Sequence, residues 1–292
     1  MIPPLRRIGQ VGLLAASWTG AAALGARLCV TSDSRAIGGG LLALAGGAGL
    51  FALDALVVDF DPFGDSVTHG SRAGKMAALT FDDGPSRDTP LVLNALARAQ
   101  VRATFFVVGA QAQARPWLIR AISRHGHAIG LHTYSHRALA LASPRTIARE
   151  IDDGRAALRA CGVEPAPLFR APRGWKGPLL RRALAERGLR LVAWTRGAWD
   201  TEPRTAAQIA SAASENPRAG DILLLHDGTT AARSPRRVAT AEAIAEIVAR
   251  YRAKGLAFIT LPELLSLIPS PFFGGGLAWG DRDREQVRVP PP

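Results

Sequence analysis

"MAALTFDDGP", residues 76–85, is the stretch of this chain that decides the fold. Its apolar run ends in two adjacent acids, Asp82 and Asp83, and a Gly-Pro pair follows them. A short apolar run that a turn signal closes is typical of a buried strand. We therefore predict a strand over 76–82 with both carboxylates at its carboxyl end. Because successive side chains of a strand point in opposite directions, we expect the two acids to face different partners.

Similar apolar runs recur along the chain, and helical patterns lie between most of them. The further strand candidates are 103–109, 127–133, 167–172, 189–195, 221–227 and 256–261. The pairs Thr89-Pro90 and Ser143-Pro144 are typical of a helix N-cap followed by its first residue. Alternating strands and helices predict an α/β domain with a parallel sheet, open or closed into a barrel. In both forms catalytic residues gather at the carboxyl ends of the strands.

Five polar clusters follow predicted strand ends, which would bring them onto one face of the domain. They are Asp82-Asp83, HTYSH at 132–136, RAPRG at 170–174, WTRGAWD at 194–200 and LLHD at 224–227. Surface residues scattered at random would not show this bias. The sequence therefore predicts one site built from several strand ends.

The HTYSH cluster holds two histidines, His132 and His136, that lie four residues apart. On a turn of helix this spacing puts both on one side, within reach of one metal ion. A structural or surface pair is the alternative. With one carboxylate from another strand end, the pair would form a three-ligand set that leaves positions open for water and substrate. Such a metal lowers the pKa of its bound water toward ~7.

Hydrolysis also needs a base for the attacking water and an acid for the leaving group. Either of Asp82 and Asp83 can be the metal ligand, with the other as the base. His226 follows a later strand and is the candidate acid. Arg170 is a candidate partner that keeps the base ionised, with a surface salt bridge as the alternative.

These motifs resemble those of the polysaccharide deacetylases, the NodB-homology family or carbohydrate esterase family 4, over about 76–268. TFDDGP and HTYSH are similar to the first two motifs, RAPRG to the third and LLHD to the fifth. The resemblance implies a distorted (β/α) barrel of about seven strands. It also implies a divalent metal, usually zinc, with Co²⁺, Ni²⁺ and Mn²⁺ as alternatives.

The resemblance assigns a role to each matching residue. The implied metal ligands are Asp83, His132 and His136. The implied catalytic residues are Asp82 as general base, Arg170 as the residue that orients it, and His226 as general acid. The backbone N–H near Arg173 would help to hold the oxyanion, and Trp199 and Leu225 are candidate substrate contacts. Trp175 and Trp199 would stack on a sugar ring or pack within the domain.

The fourth motif departs from the family pattern D-x-x-D-W. Gly197 stands where its first aspartate would fall, and Thr201 replaces the tryptophan. Asp200 occupies the second acidic place. Two alternatives follow: Asp200 takes over the orienting of His226, or His226 is held less well. By contrast, the histidines of RHGHAIG, His125 and His127, fit a structural turn from helix to strand.

The N-terminal region contains two uncharged runs, from Ile8 to Ala26 and from Ala36 to Leu53. One bilayer crossing takes ~20 residues, so we predict transmembrane helices at about 8–30 and 36–58. A cleaved signal peptide is the competitor for the first, and a pair of buried soluble helices is the other alternative. Arg6 and Arg7 before the first run balance Arg27 and Arg35 around the loop, so the positive-inside rule does not choose a side.

The remaining domain plan is a linker at 59–75, a catalytic domain at 76–268 and a loose tail at 269–292. The net charge of +12 favours attraction to anionic lipids or acidic envelope polymers, with solvated helix faces as the alternative. The chain lacks the lysine and arginine blocks of nucleic-acid-binding proteins, so no nucleic acid partner is predicted. The two cysteines, Cys29 and Cys161, form neither a C-x-x-C pair nor a disulfide framework.

We therefore predict a metal-dependent hydrolase that removes the N-acetyl group from an amino sugar of an envelope polysaccharide, such as peptidoglycan, an exopolysaccharide or a chitin-like oligomer. The first alternative keeps the chemistry but acts as a deacylase or deformylase on a lipid-linked amino sugar. The second is a non-catalytic sugar-binding membrane protein. We expect the chain in the bacterial inner membrane with its catalytic domain extracytoplasmic.

Overall fold

The computed structural model describes residues 66–229 and 236–267 of the chain. The predicted membrane helices at 8–30 and 36–58 and the predicted tail at 269–292 lie outside these residues. Within the described ranges, no helix has both the length and the apolar character that crossing a bilayer requires. The membrane anchor and the loose tail therefore stay predictions.

The described residues form one domain in which parallel strands alternate with helices, as predicted. The strands are β1 Met76–Asp82, β2 Thr104–Val107, β3 Ala128–Leu131, β4 Leu168–Phe169, β5 Arg190–Leu191, β6 Arg196–Gly197, β7 Ile222–His226 and β8 Ala257–Phe258. The helices are α1 Thr89–Ala99, α2 Gly109–Ala114, α3 Pro116–Arg124, α4 Pro144–Ala160, α5 Pro178–Ala185, α6 Ala206–Ala213, α7 Val238–Arg252 and α8 Leu261–Ser266. Each predicted strand contains an observed one, and β6 is additional.

Helix starts follow the local chemistry of the sequence at α4 but not at α1. Ser143 caps α4, where its hydroxyl accepts a hydrogen bond from the N–H of Thr146 at 3.3 Å. Thr89 lies inside α1, and Asp88 occupies the cap position. The hydroxyl of Thr89 instead donates to the carboxylate of Asp227 at 2.6 Å. The side chain of Thr89, which the sequence predicted to cap α1, therefore makes a tertiary contact with Asp227.

The sheet curves toward a ring, but the strands at its two ends, β5 and β6, are not hydrogen-bonded neighbours. Its strand order is β5-β4-β3-β2-β1-β7-β6, and β8 pairs with the start of β1. β5 and β6 stand at the two ends of this order, yet both belong to the run 190–197. That run bonds to β4 at its start and to β7 at its end, and the N–H of Thr195 donates to Ile222 at 2.8 Å. The ring of strands is thus closed through the chain itself, which is a distorted form of the predicted barrel.

Strand alternation divides the buried side chains into two groups. On β1, Leu79 and Phe81 pack in the main apolar cluster, which also contains residues of the surrounding helices. Ala78 belongs to a second, smaller cluster together with residues of α8. Asp82 lies two residues beyond Thr80 and four beyond Ala78, so it projects from the same side of β1 as they do. The apolar core on this side therefore leads directly to the carboxylates.

The predicted linker, 59–75, is built into the domain from residue 66 onward. The N–H of Val67 donates to Leu191 at 2.8 Å, and the N–H of Gly70 donates to Gly220 at 2.7 Å. Arg72 pairs with Asp221 at 2.8 Å. Composition alone suggested a linker because the stretch is polar and rich in Gly. Its backbone nevertheless connects the residues after β5 with the turn before β7, so the domain begins earlier than predicted.

Candidate active site

Three predicted metal ligands converge at the carboxyl ends of β1 and β3. Oδ1 of Asp83 lies 2.9 Å from Nε2 of His136 and 3.4 Å from Nε2 of His132. The candidate ligand atoms of the three residues all lie within 4.8 Å of one another. Asp83 and His132 are buried, and the side chain of His136 is 14% exposed. The arrangement leaves one side of the cluster accessible.

The backbone turns sharply where it presents these ligands. Asp83 has a φ of 73°, and Thr133 and His136 each have a φ of 62°, all in the left-handed region. β1 ends at Asp82, so the direction of Asp83 is set by this turn. The two side chains were predicted to point in different directions because of strand alternation, and this explanation is wrong, since Asp83 lies outside the strand. The acids do face different partners, because one completes the strand and the other has left it.

Hydrogen bonds prepare the cluster for a divalent metal. Nδ1 of His132 donates to the carbonyl of Arg170 at 2.8 Å, which orients the ring so that Nε2 is the nitrogen available to a metal. Burial opposes ionisation of Asp83, but hydrogen bonds from His132 and His136 outweigh it and hold its pKa below the usual range. Two imidazole nitrogens and one carboxylate oxygen form a donor set that suits zinc and similar divalent ions. The residues present therefore fit the metal that the motifs imply.

Asp82 and Arg170 form a buried pair next to this cluster. Nη1 of Arg170 donates to Oδ1 of Asp82 at 2.8 Å and to the hydroxyl of Thr80 at 2.7 Å. Nη2 donates to the carbonyl of Ala193 at 2.9 Å, and the guanidinium lies 4.1 Å above the ring of Phe106. Arg170 is thus fixed from several directions and orients Asp82, as predicted. Oδ2 of Asp82 remains 3.9 Å from Nε2 of His132, close to the candidate metal position.

Asp200 holds His226 on the other side of β1. Oδ1 of Asp200 lies 2.8 Å from Nδ1 of His226, and Oδ2 accepts the backbone N–H of His226 at 2.8 Å. Burial by itself would lower the pKa of His226, but the charges of Asp200, Asp83 and Asp82 outweigh it and raise the pKa to about 9. The imidazole is therefore protonated at neutral pH. Of the two alternatives for the fourth motif, these contacts favour Asp200 as the residue that orients His226, although Gly197 and Thr201 depart from the family pattern.

Two residues at the start of α7, the cap residue Arg237 and Thr240, hold Asp200 in place, and sequence reasoning missed them. The hydroxyl of Thr240 donates to Oδ2 of Asp200 at 2.9 Å. The buried guanidinium of Arg237 donates to the carbonyls of Asp200 and Gly228, at 2.5 and 2.9 Å. The backbone N–H of Arg237 in turn donates to Asp88 at 2.9 Å. No motif marks these residues, because they lie near the start of an ordinary amphipathic helix.

The carboxyl of Asp227 was also missed, although its residue stands in the LLHD motif. It is buried, and burial raises its pKa to about 7. The carboxyl packs against Gly84, where an added Cβ would lie 2.1 Å from Oδ2. Only glycine fits this position of the first motif. Asp227 thus shapes the turn that presents Asp83.

The structure places the three predicted substrate contacts differently. Arg173 is exposed with a φ of 63°, and its guanidinium lies 5.4 Å from the ring of Trp175. Trp199 is half-buried with a φ of 57°. Leu225 is fully buried in the main apolar cluster, so its prediction as a substrate contact is wrong. Strand alternation explains this, because Leu224 shares a side with His226 and Leu225 points the opposite way.

The other two histidines of the turn before β3 are structural, as predicted. His127 is buried, and its Nδ1 accepts the backbone N–H of Ala103 at 3.1 Å. Burial lowers the pKa of His127 to about 4, so the ring is neutral. His125 is exposed and contacts the carbonyl of Ala121 at 2.8 Å. Neither histidine belongs to the metal cluster.

Comparisons with known proteins agree with the geometry of the site. A family model described as polysaccharide deacetylase matches residues 69–192. A peptidoglycan-N-acetylglucosamine deacetylase of Bacillus cereus is 34% identical over 197 residues, which are 65% of this chain and 88% of that protein. This chain belongs to the polysaccharide deacetylase family. A chitooligosaccharide deacetylase of Sinorhizobium fredii is 35% identical over 193 residues, 63% of this chain and 89% of that protein.

Solved structures of family 4 carbohydrate esterases share the fold of this deacetylase domain. An acetyl xylan esterase of Clostridium thermocellum, in complex with a cobalt ion, is 36% identical with a TM-score of 0.61. The similarity covers 67% of this chain and 93% of that one. An esterase of Streptomyces lividans in complex with acetate is 31% identical with a TM-score of 0.58, over 63% and 92% of the two chains. The family relation thus extends to the three-dimensional arrangement of the strands.

Proposed function

We propose that this polysaccharide deacetylase is a metal-dependent enzyme that removes the acetyl group from an N-acetylated amino sugar of an envelope glycan. One observation carries the proposal: the Asp83, His132 and His136 cluster adjoins both the Asp82–Arg170 pair and the His226–Asp200 pair. Asp82 and His226 are register partners on β1 and β7. A candidate base and a candidate acid therefore face one position beside a candidate metal centre.

Each residue has a defined task in this proposal. A divalent metal, when bound by the cluster, supplies a Lewis acid for the acetamide carbonyl. Oδ2 of Asp82 accepts a proton from the attacking water, while Arg170 holds Oδ1 and keeps the carboxylate in position. The backbone N–H near Arg173 stabilises the developing oxyanion. His226, protonated at neutral pH, donates its proton to the departing amine, and acetate leaves.

The proposed substrates are peptidoglycan and chitin-like oligosaccharides. The names of the Bacillus cereus and Sinorhizobium fredii relatives refer to these two glycans, which both contain N-acetylglucosamine. We further propose that helices at 8–30 and 36–58 hold the chain in the bacterial inner membrane with the catalytic domain outside. The support is the two uncharged runs of the sequence. Reporter fusions at the C-terminus, active only in the periplasm or only in the cytoplasm, test the side.

A purified-enzyme assay tests the proposed reaction. We expect acetate release from peptidoglycan or chitooligosaccharide, loss of release on chelation with EDTA, and recovery on adding Zn²⁺ or Co²⁺. A lipid-linked amino sugar belongs in the same panel, because a product from that substrate alone would favour the deacylase alternative. Sugar binding without product on every substrate would favour the non-catalytic alternative. Full activity of metal-free protein would overturn the proposal.

Asp82→Asn tests the assignment of the base. The variant keeps the hydrogen-bonding shape of the side chain but cannot accept a proton from water. We expect kcat to fall by about 10²–10⁴-fold while the protein still binds zinc, since Asp82 is not a ligand in the proposal. Acetate release and zinc content, measured on one preparation, check both parts. Wild-type turnover in this variant would contradict the role of Asp82.

One comparison favours a second candidate, hydrolysis of O-acetyl esters on xylan. The Clostridium thermocellum structure that shares this fold is an acetyl xylan esterase and is 36% identical. Ester cleavage would use the same base, and His226 would protonate a sugar hydroxyl in place of an amine. Acetylated xylan in the substrate panel separates the two, because a specificity constant higher for xylan than for any N-acetylated glycan would favour the ester.

A further inference from the structure

We infer that Glu150, on α4, is a positioning residue for the metal site: its carboxylate holds the turn that carries His132 and His136. Oε2 of Glu150 accepts the backbone N–H groups of Tyr134 and Ser135, at 3.0 and 2.8 Å. Oε1 accepts the hydroxyl of Ser135 at 2.6 Å. Three hydrogen bonds from residues between the two histidines thus converge on one carboxylate. The inference rests on the metal-dependent function proposed above.

The opposite polar groups of the same turn are held by α2. The N–H of Gly109 donates to the carbonyl of Thr133 at 3.0 Å, and the N–H of Ala110 donates to the carbonyl of Tyr134 at 2.9 Å. The carbonyls of the turn therefore accept hydrogen bonds from the start of α2, and its N–H groups donate hydrogen bonds to Glu150. α2 contributes backbone atoms, which every sequence supplies. Glu150 contributes a side chain, so this half of the support depends on the identity of one residue.

Close packing shows that α4 is built to approach the turn. Gly154 lies one helical turn after Glu150 and therefore on the same face of α4. A Cβ at Gly154 would lie 3.3 Å from the carbonyl carbon of Thr133, and a Cβ at Gly109 would lie 2.9 Å from the Cα of Gly154. Both glycines let backbone pack against backbone. Glu150 can reach the turn because of this short separation.

The turn needs such support because its backbone is unfavourable. Thr133 and His136, on either side of the bonded residues, both have a φ of 62°. This left-handed conformation is costly for residues with a side chain, and more so for β-branched Thr133. The rings of His132 and His136 lie 5.1 Å apart between centroids, an arrangement that depends on both backbone positions. Hydrogen bonds that Glu150 accepts hold the left-handed turn and, through it, the angle between the two imidazoles.

The test is the zinc affinity of Glu150→Gln in the full chain. The amide oxygen can still accept both backbone N–H groups, but the side chain loses its negative charge. Its NH₂ group faces the Ser135 hydroxyl, which has to accept a hydrogen bond where it donated one to the carboxylate. We expect the dissociation constant for Zn²⁺, measured by calorimetry with a competing chelator on metal-free protein, to rise about 10–100-fold. Glu246→Gln is the matched control: Glu246 is an exposed glutamate of α7 paired with Arg250, and its removal should leave zinc affinity unchanged. Acetate release at saturating zinc should recover most of the wild-type rate in Glu150→Gln.

Two results would overturn the inference. One is a Glu150→Gln variant with wild-type zinc affinity, even if its metal-free form melts earlier, because the residue would then be merely structural. The other concerns Ser135→Ala, which removes only the hydrogen bond from the hydroxyl and replaces the first test if Glu150→Gln does not fold. An unchanged zinc affinity in Ser135→Ala would contradict the role of Glu150. A rise of a few-fold in the dissociation constant for Zn²⁺ would support it. Wild-type protein that binds no zinc would contradict the proposed metal-dependent function itself. Failure of that function and failure of the Glu150 inference therefore give different results.

Discussion

At the scale of single residues, His226 shows how position decides chemistry. Burial disfavours an imidazolium, and an isolated histidine in this place would be neutral at pH 7. Two contacts with Asp200 and the nearby charges of Asp83 and Asp82 reverse this and raise the pKa to about 9. Since a general acid must be protonated, activity that depends on His226 is lost as the pH rises through this value. The basic limb of the pH–rate profile therefore reports on the pair.

Asp200→Asn should move that basic limb to lower pH. Without the carboxylate, the pKa of His226 falls toward the ordinary value of about 6.5. We expect activity at pH 8 to fall by about tenfold or more, with a smaller loss at pH 6. The measurement is kcat/KM from pH 6 to 10 at saturating metal. Asp152→Asn, which alters a surface pair with Arg187, is the control, and an unmoved basic limb would contradict the pairing.

We expect alanine substitutions at the neighbouring residues Leu225 and Leu224 to have different effects, one on stability and the other on substrate binding. Leu225 packs in the main apolar cluster, so Leu225→Ala should destabilise the domain by about 2–5 kcal/mol in urea unfolding. Its KM should be unchanged under conditions in which the protein is folded. Leu224 shares a side with His226, so Leu224→Ala should raise KM. The reverse pattern would restore Leu225 as a substrate contact.

At the scale of elements, the start of α7 links the residue that caps α1 to the candidate acid. Asp88, before α1, accepts the N–H of Arg237 at 2.9 Å, and Thr240 one turn later bonds to Asp200 at 2.9 Å. The start of α7 thus connects Asp88 with Asp200, the residue that contacts His226. Similarly, α2 and α4 hold the turn of the metal ligands from two sides. Helices that carry no motif residue therefore hold the motif residues in position relative to one another.

Thr240→Val should weaken the support of Asp200 without unfolding α7. Valine keeps the branched shape, but Asp200 loses one of the three hydrogen bonds to its carboxylate. A buried hydrogen bond to a charged group contributes about 1.5–3 kcal/mol, so we expect kcat to fall about tenfold. Thr146→Val, which removes a hydroxyl that contacts Ser143 on α4, should leave kcat unchanged. Equal rates for wild type and Thr240→Val would show that His226 does not need this bond.

At the scale of the whole molecule, residues 66–75 help to close the ring of strands. Their bonds join the end of β5 to the turn before β7, where Asp221 is fully buried. Asp221 contacts Arg72 at 2.8 Å, Tyr251 of α7 at 2.9 Å and Arg196 of β6 at 3.5 Å. One buried carboxylate therefore ties the start of the domain to a strand and a helix from distant parts of the chain.

Arg72→Gln tests this closure. Asp221 would lose its shortest ion pair, but Arg72 is 41% exposed, which reduces the contribution of the pair. We expect the free energy of unfolding to fall by about 1–2 kcal/mol in urea titrations. Arg250→Gln, which breaks an exposed pair with Glu246, should change it by less than about 0.5 kcal/mol. Equal effects of the two substitutions would show that the segment does not stabilise the ring.

The alternation of strands and helices, the five motif positions and the family could all be predicted from the sequence, because apolar periodicity and short motifs are local properties. The tertiary structure alone decided that Asp83 faces the histidines through a left-handed turn and that Asp200 meets His226. It also decided that Leu225 points away and that the domain starts before residue 76. Each of these depends on contacts between segments far apart in the chain. Glu150 and Thr240 show the limit most clearly: nothing local distinguishes them, since their partners lie 16 and 40 residues away.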